Sequence, residues 1–159
     1  MESSWFPMLA RLAPSLPQGG DWVYEPKWDG FRGLLVRRGS RVGILSRNGR
    51  ALEPYFPEVV SAALKTLPED CSVDGEILAL RGGKPDFSAL LARLGRSAQG
   101  ELCIMAFDAL SIDGTDLSSL PLVERRSRLL SSVPDEAGSG TRWQPLFPAT
   151  NLHRNLKEG

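Results

Sequence analysis

Apolar and polar positions along this chain recur with two different periods, and glycines and prolines mark where one gives way to the other. Trp22–Glu25, Phe31–Arg37 and Arg41–Ser46 are short runs with strand composition, and Arg38-Gly39-Ser40 joins the last two as a hairpin. A helical period follows. Phe56, Val59, Val60, Ala63, Leu64 and Leu67 fall on one face and predict an amphipathic helix that ends before Pro68. Cys71–Leu80 predicts a strand whose exit is turned by Arg81-Gly82-Gly83. Asp86 is placed to cap a second helix with Phe87, Leu90, Leu91 and Leu94 on one face. Glu101–Leu110 is mostly apolar and predicts a central strand, while Leu122, Arg126, Leu129, Leu130 and Val133 mark a third helix. Residues 1–20 read as an extended segment rich in proline and glycine, and 134–141 as a Pro/Gly/Ser loop. Strands and hairpins broken by single helices, with no regular βαβ rhythm and no repeat, predict an α+β fold with largely antiparallel sheets.

Composition narrows the class further. A chain of 159 residues with 42% hydrophobic and 24% charged content is one soluble globular domain or a large part of one. The formal net charge is zero, so no global field announces a polyanionic partner, although a local arginine patch would be hidden in that total. Cys71 and Cys103 match no metal spacing and build no disulfide framework, which predicts reduced thiols in a cytoplasmic protein. The apolar Trp5-Phe6-Pro7-Met8-Leu9 is too short for a membrane span and lacks the form of a signal peptide, so no membrane association is expected. Abundant arginine, alanine, glycine and proline with scarce lysine leans toward a GC-rich bacterial genome.

The candidate chemistry begins in Glu25-Pro26-Lys27-Trp28-Asp29-Gly30-Phe31-Arg32. The chain has four lysines against fifteen arginines, and one of those four stands just before an Asp-Gly turn. Arginine stays protonated, whereas lysine can give up its proton and act as a nucleophile. A lone lysine beside a turn is as readily a solvated surface group. Three further motifs, each at the end of a predicted strand, shift that balance. Ser46-Arg47-Asn48-Gly49 closes a hairpin strand; Asp74-Gly75-Glu76 puts carboxylates inside an apolar strand, where an unpaired charge is costly; Phe107-Asp108 sets an aromatic beside a carboxylate. Taken singly, Phe107 reads as core, Glu76 as a water-facing strand residue and Arg47 as a loop charge.

Together and in this order, these motifs resemble the nucleotidyltransferase domain of ATP-dependent DNA ligases, a superfamily shared with RNA ligases and mRNA capping enzymes. The E-P-K-W-D-G-F-R wording, approached through Met8-Leu9-Ala10, Leu16-Pro17, Trp22 and Tyr24, is similar to bacterial DNA-repair ligases, and the likeness covers about residues 8–110. The resemblance implies that Lys27 attacks the α-phosphate of ATP and becomes a lysyl-AMP phosphoramidate. It also implies that Phe107 stacks on adenine, Glu25 lies near the adenine edge, and Glu76 accepts from the ribose hydroxyls or helps hold a divalent ion, Mg²⁺ being the partner of a triphosphate. Arg32 and Arg47 would contact nucleotide or DNA phosphates. AMP would then pass to the 5′-phosphate of nicked double-stranded DNA, and the 3′-hydroxyl would seal the strand in repair or recombination.

The family's next motif, E-G-x-x-x-K, its later lysine pair and its oligonucleotide-binding-fold domain find no counterpart before the chain reaches Lys157-Glu158-Gly159, whose Glu-Gly could open that motif. The expected organisation is an extended segment over 1–20, a partial adenylation domain over 21–150 and a truncated tail over 151–159. Such a fragment is expected to be weak or inactive alone. Two other readings stand beside it: an RNA ligase or capping-type nucleotidyltransferase, and a non-catalytic remnant that binds nucleotide or DNA.

Overall fold

The computed structural model describes residues 11–17, 22–95 and 100–133, with the backbone of 141–143 and 147–148. Expectations for Met8-Leu9-Ala10, for the loop over 134–140 and for the tail with Glu158-Gly159 lie outside the described residues. In chain order the strands are β1 (Val23–Tyr24), β2 (Phe31–Arg38), β3 (Arg41–Leu45), β4 (Asp70–Arg81), β5 (Lys84–Pro85), β6 (Glu101–Ile112), β7 (Thr115–Asp116), β8 (Thr141–Trp143) and β9 (Phe147–Pro148). The helices are α1 (Pro57–Thr66), α2 (Phe87–Leu94) and α3 (Leu122–Ser132).

The chain divides into two compact units. The smaller comprises Met8–Lys27 and Gln144–Gly159. Within it β1 pairs antiparallel with β9, Tyr24 opposite Phe147, and the Tyr24 hydroxyl donates to the carbonyl of Pro17. The larger unit, Met1–Pro7 with Trp28–Trp143, holds a sheet in the order β3-β2-β4-β6-β7, with β5 added to β4 and β8 to β6. Every pairing in that sheet is antiparallel except β6 with β8, which is parallel. The expected α+β architecture with largely antiparallel pairing is the one found.

Local chemistry explains most boundaries. Arg38 pairs with Arg41, so the hairpin turn is Gly39-Ser40, and Gly39 takes φ +56°, which favours glycine. Helix α1 starts at Pro57, whose missing N–H costs nothing in the first turn, and its backbone turns extended at Leu67 before Pro68. Asp86 caps α2 by accepting from the Ala89 N–H at 2.9 Å. The predicted face of α2 is only partly buried. Leu90 is enclosed, but Phe87, Leu91 and Leu94 are exposed because the helix turns Ala89 and Leu90 inward. Two short hairpin strands escaped the sequence reading: β5, beyond the Gly82-Gly83 turn, and β7, beyond Asp113-Gly114, where both residues have positive φ.

The two faces of the sheet are separated by strand alternation. On one, Leu35, Val73, Ile77, Ala79, Ile104 and Ala106 pack with Phe56, Val59 and Ala63 around α1, Leu90 of α2 and Leu129 of α3. On the other, Leu78, Leu80, Cys103 and Met105 form a smaller apolar patch against Trp28. The polar residues singled out in β2, β4 and β6 belong to this second face.

Candidate functional site

Gly30, the last residue of the Lys-Trp-Asp-Gly turn, lies against β4. Its N–H donates to Glu76 Oε1 at 3.2 Å. A Cβ there would stand 2.3 Å from the Ile77 carbonyl oxygen and 2.9 Å from Glu76 Cγ. Only glycine allows this approach, which gives the motif a structural reason distinct from its chemistry. Strand β2 begins at the next residue and runs beside β4, with Arg32 opposite Glu76 and Leu34 opposite Asp74.

Arg32 forms a bidentate pair with Asp74: Nε donates to Oδ1 at 2.6 Å and Nη2 to Oδ2 at 2.7 Å. Burial pushes the Asp74 carboxyl above its usual range, and the Arg32 guanidinium opposes but does not cancel that shift. Burial likewise works against the Arg32 cation. The Asp74 hydrogen bonds and charge, with help from Glu76 and Asp108, outweigh it and hold Arg32 above its ordinary value.

The same guanidinium lies over the Phe107 ring, Cζ 4.5 Å from the centroid, a cation–π contact. Phe107 reaches this position through an irregularity in β6. Asp74 is paired with Asp108 and Gly75 with Ala106, so Phe107 is left without a partner in β4. The extra residue makes a β-bulge, a device that re-aims a side chain. The ring is half-buried rather than part of the core. The adjoining groups are held by α3. Arg125 donates from Nε and Nη2 to the two Asp108 oxygens at 2.8 and 2.6 Å, and Arg126 Nη1 donates to the Phe107 carbonyl at 3.0 Å.

Of the residues proposed from sequence, Arg32, Glu76 and Phe107 therefore come together on one face. Arg47 does not join them. It is exposed in the Ser46–Gly49 turn, which closes through a Gly49 N–H to Ser46 carbonyl bond of 2.8 Å. Glu25 and Lys27 are exposed residues of the smaller unit. Sequence reasoning missed Asp74 as the anchor of Arg32, and Arg125 and Arg126 as supports of the bulge. The available signal was Arg126 itself, a charge standing in an apolar helical stripe.

Among the described residues, no group of three or more His, Cys, Asp or Glu side chains could enclose a metal ion. A divalent ion that arrives with triphosphate oxygens and its own waters needs only one or two carboxylates, and Glu76 fits that donor requirement.

A curled, largely antiparallel sheet with helices on one face and a charged, aromatic cluster on the other defines a nucleotidyltransferase-like α+β domain. Solved structures share it. The chain matches mycobacterial DNA ligase D complexed with ATP and MES with a TM-score of 0.65 at 22% identity, covering 86% of this chain and 44% of that one. It matches the ligase domain of Mycobacterium tuberculosis LigD with a TM-score of 0.66 at 23% identity, over the same shares. The family model of the ATP dependent DNA ligase domain matches residues 7–144, and the chain belongs to that family. Among curated relatives, DNA ligase C2 of Mycolicibacterium smegmatis is 40% identical over 137 residues, 81% of this chain and 38% of that protein. DNA ligase C of Mycobacterium tuberculosis is 38% identical over 153 residues, 91% of this chain and 42% of that protein. The chain thus spans less than half the length of these relatives.

Proposed function

We propose that this chain carries the adenylating part of a bacterial ATP-dependent DNA ligase, acting in the cytoplasm on nicked double-stranded DNA. Lys27 is the nucleophile. Its neutral amine attacks the α-phosphorus of ATP, a P–N bond forms, the bond to the bridging oxygen breaks, and pyrophosphate leaves with the electron pair. The amine's remaining extra proton passes to solvent. Phe107 supplies a stacking face for adenine, with Glu25 at the base edge. Glu76 accepts from the ribose hydroxyls or would help hold a Mg²⁺, which would supply neutralising charge for the triphosphate. Arg32, whose Nε and Nη2 are engaged by Asp74, offers its remaining edge to phosphate. Arg47 is assigned to the phosphates of nucleotide or DNA. The adenylate then moves to the 5′-phosphate of the nick, which the 3′-hydroxyl attacks with release of AMP.

The observation that carries this reading is the seat of the Lys-x-Asp-Gly turn. Its glycine is bonded to Glu76 and has no room for a side chain, and the strand it opens delivers Arg32 to Phe107. The test is incubation with Mg²⁺ and ATP labelled in the α-phosphate, followed by denaturing electrophoresis. Label is expected on the protein, at most weakly for this chain alone, and is expected to vanish in Lys27→Ala and Lys27→Arg, since guanidinium cannot supply a neutral nitrogen. Appreciable labelling of the arginine variant would assign the acceptor elsewhere.

A further inference from the structure

We infer that Arg126 is a positioning residue for nucleotide recognition: from α3 it fixes the bulge that presents the Phe107 ring. This rests on the reading of Phe107 as the base-stacking residue and goes beyond it, because Arg126 has no place in that chemistry. The bulge leaves Phe107 out of the ladder with β4, so its backbone direction is not set by sheet pairing. Arg126 takes over that role. It is 5% exposed, it donates to the Phe107 carbonyl at 3.0 Å, and it stands in an apolar stripe with Leu129 and Val133. A guanidinium buried there is costly unless its hydrogen bonds are made, so the arginine and the bulged carbonyl specify one another.

The neighbouring residue reinforces the geometry. Arg125 clamps Asp108, and its Nη1 donates to the Leu120 carbonyl at 2.6 Å, tying the start of α3 to the same turn of β6. Asp108 in turn accepts from the Ala109 N–H at 2.8 Å. On the far side, Arg32 lies over the ring. Phe107 is thus held by its backbone from α3 and by its ring face from β2. A rotation of the bulged peptide would carry the ring off Arg32 while leaving Arg32 held by its bidentate pair with Asp74.

The experiment measures equilibrium binding of labelled ATP to the 159-residue chain in Mg²⁺, with inorganic tripolyphosphate as a ligand that lacks the base. Arg126→Lys is expected to weaken ATP about 10-fold, part of the loss available from base stacking, and to leave tripolyphosphate unchanged. In a Phe107→Ala background the same substitution is expected to weaken ATP no further. Arg125→Lys, which loosens the Asp108 clamp and the tie to the Leu120 carbonyl but leaves the Arg126 bond to Phe107 in place, is expected to give about a 3-fold loss and serves if Arg126→Lys does not fold. Leu129→Ala is the control for an unspecific loosening of α3. Equal weakening by Leu129→Ala at matched melting temperature, additive losses in the double variant, or parallel loss of tripolyphosphate overturns the inference. If Phe107→Ala alone leaves ATP affinity intact, or the unaltered chain binds no ATP at millimolar concentration, the stacking assignment falls and the inference with it.

Discussion

On the helix-covered face of the main sheet, Leu35, Val73, Ile77 and Ile104 are buried against Phe56, Val59 and Leu90 by size and hydrophobicity alone. On the opposite face, residues at alternate positions of the same strands include Arg32, Asp74 and Glu76, joined from β6 by Phe107. The first face tolerates any set of side chains with the right volume, since apolar packing is non-directional. The second does not. Each of its groups is correct only in relation to a partner from a distant part of the chain: Arg32 to Asp74, Asp108 to Arg125, Gly30 to Glu76. The face that holds the fold together is therefore interchangeable in detail, whereas the face proposed to carry chemistry is specified bond by bond.

The largest break in this comparison comes from the smallest side chain. Gly30→Ala sets a methyl group 2.3 Å from a backbone oxygen of β4, which cannot rotate away, so the turn must leave the sheet. Gly39 is the control: its Cβ would meet nothing within 4 Å, and only its φ of +56° is unfavourable. Gly39→Ala is expected to cost about 1–2 kcal/mol in urea denaturation, the usual penalty of the left-handed region, and to leave ATP binding intact. Gly30→Ala is expected to abolish ATP binding and to lose stability well beyond that. Comparable stability losses in the two variants would show that the close approach at Gly30 is unimportant.

Next in size is the central ion pair. Arg32→Met leaves Asp74, 5% exposed at its side chain, as an unpaired buried carboxylate, at an expected cost of about 3–5 kcal/mol. Replacing both, as Arg32→Met with Asp74→Leu, is expected to return most of that stability while nucleotide binding stays lost. Recovery of binding in the double variant would make the pair a purely structural device. On the helix face, Leu90→Ala, at a fully buried site, should cost about 2–5 kcal/mol with ATP affinity of the folded fraction unchanged. Leu91→Ala, one position along and 46% exposed, should stay within about 0.5 kcal/mol. These four variants separate packing from pairing.

The difference between the faces also explains what could be read from sequence. The period of Phe56, Val59, Ala63 and Leu67 is local information, and so are the proline that opens α1 and the aspartate that caps α2. Those elements were accordingly legible. The motifs with Lys27, Glu76 and Phe107 were legible as candidates because together, and in that order along the chain, they resemble those of a known family. Their partnerships were not. Arg32 meets Asp74 only through the register of β2 on β4, and Phe107 escapes the ladder only through a shift in the register of β6. Neither register is written in a local window. The parallel strand β8 was missed for the same reason: three residues after a Pro/Gly/Ser stretch carry too little pattern, and their place beside Ile104–Ala106 is set by distant chain. The two-residue strand β7 had a visible Asp-Gly turn but no room for alternation to show.

The smallest effect separates the two faces by its sign under acid. Burial raises the Asp74 carboxyl above its ordinary value of 3.8, so between that value and its folded one the native chain holds a proton that the unfolded chain has released. Stability from this group is therefore fully present at low pH and declines as pH rises through the folded value. Glu58, on α1, behaves oppositely. Burial would raise it, but the hydrogen bond from Arg93 at 2.5 Å, a backbone hydrogen bond and the Arg93 charge together outweigh it and hold the carboxyl below its ordinary 4.5. Its contribution is present above that value and is lost as pH falls through the folded one. Its carboxylate is half exposed, so solvent screening keeps the effect small. Denaturation from pH 7 down to 3 should show the stability advantage of wild type over Glu58→Gln shrinking on acidification. Relative to Asp74→Asn, wild type should gain over the same range. If the Asp74 comparison instead moves in the same direction as Glu58, the pairing with Arg32 outweighs desolvation. The charged face would then be held by electrostatic attraction rather than tolerated at the expense of stability.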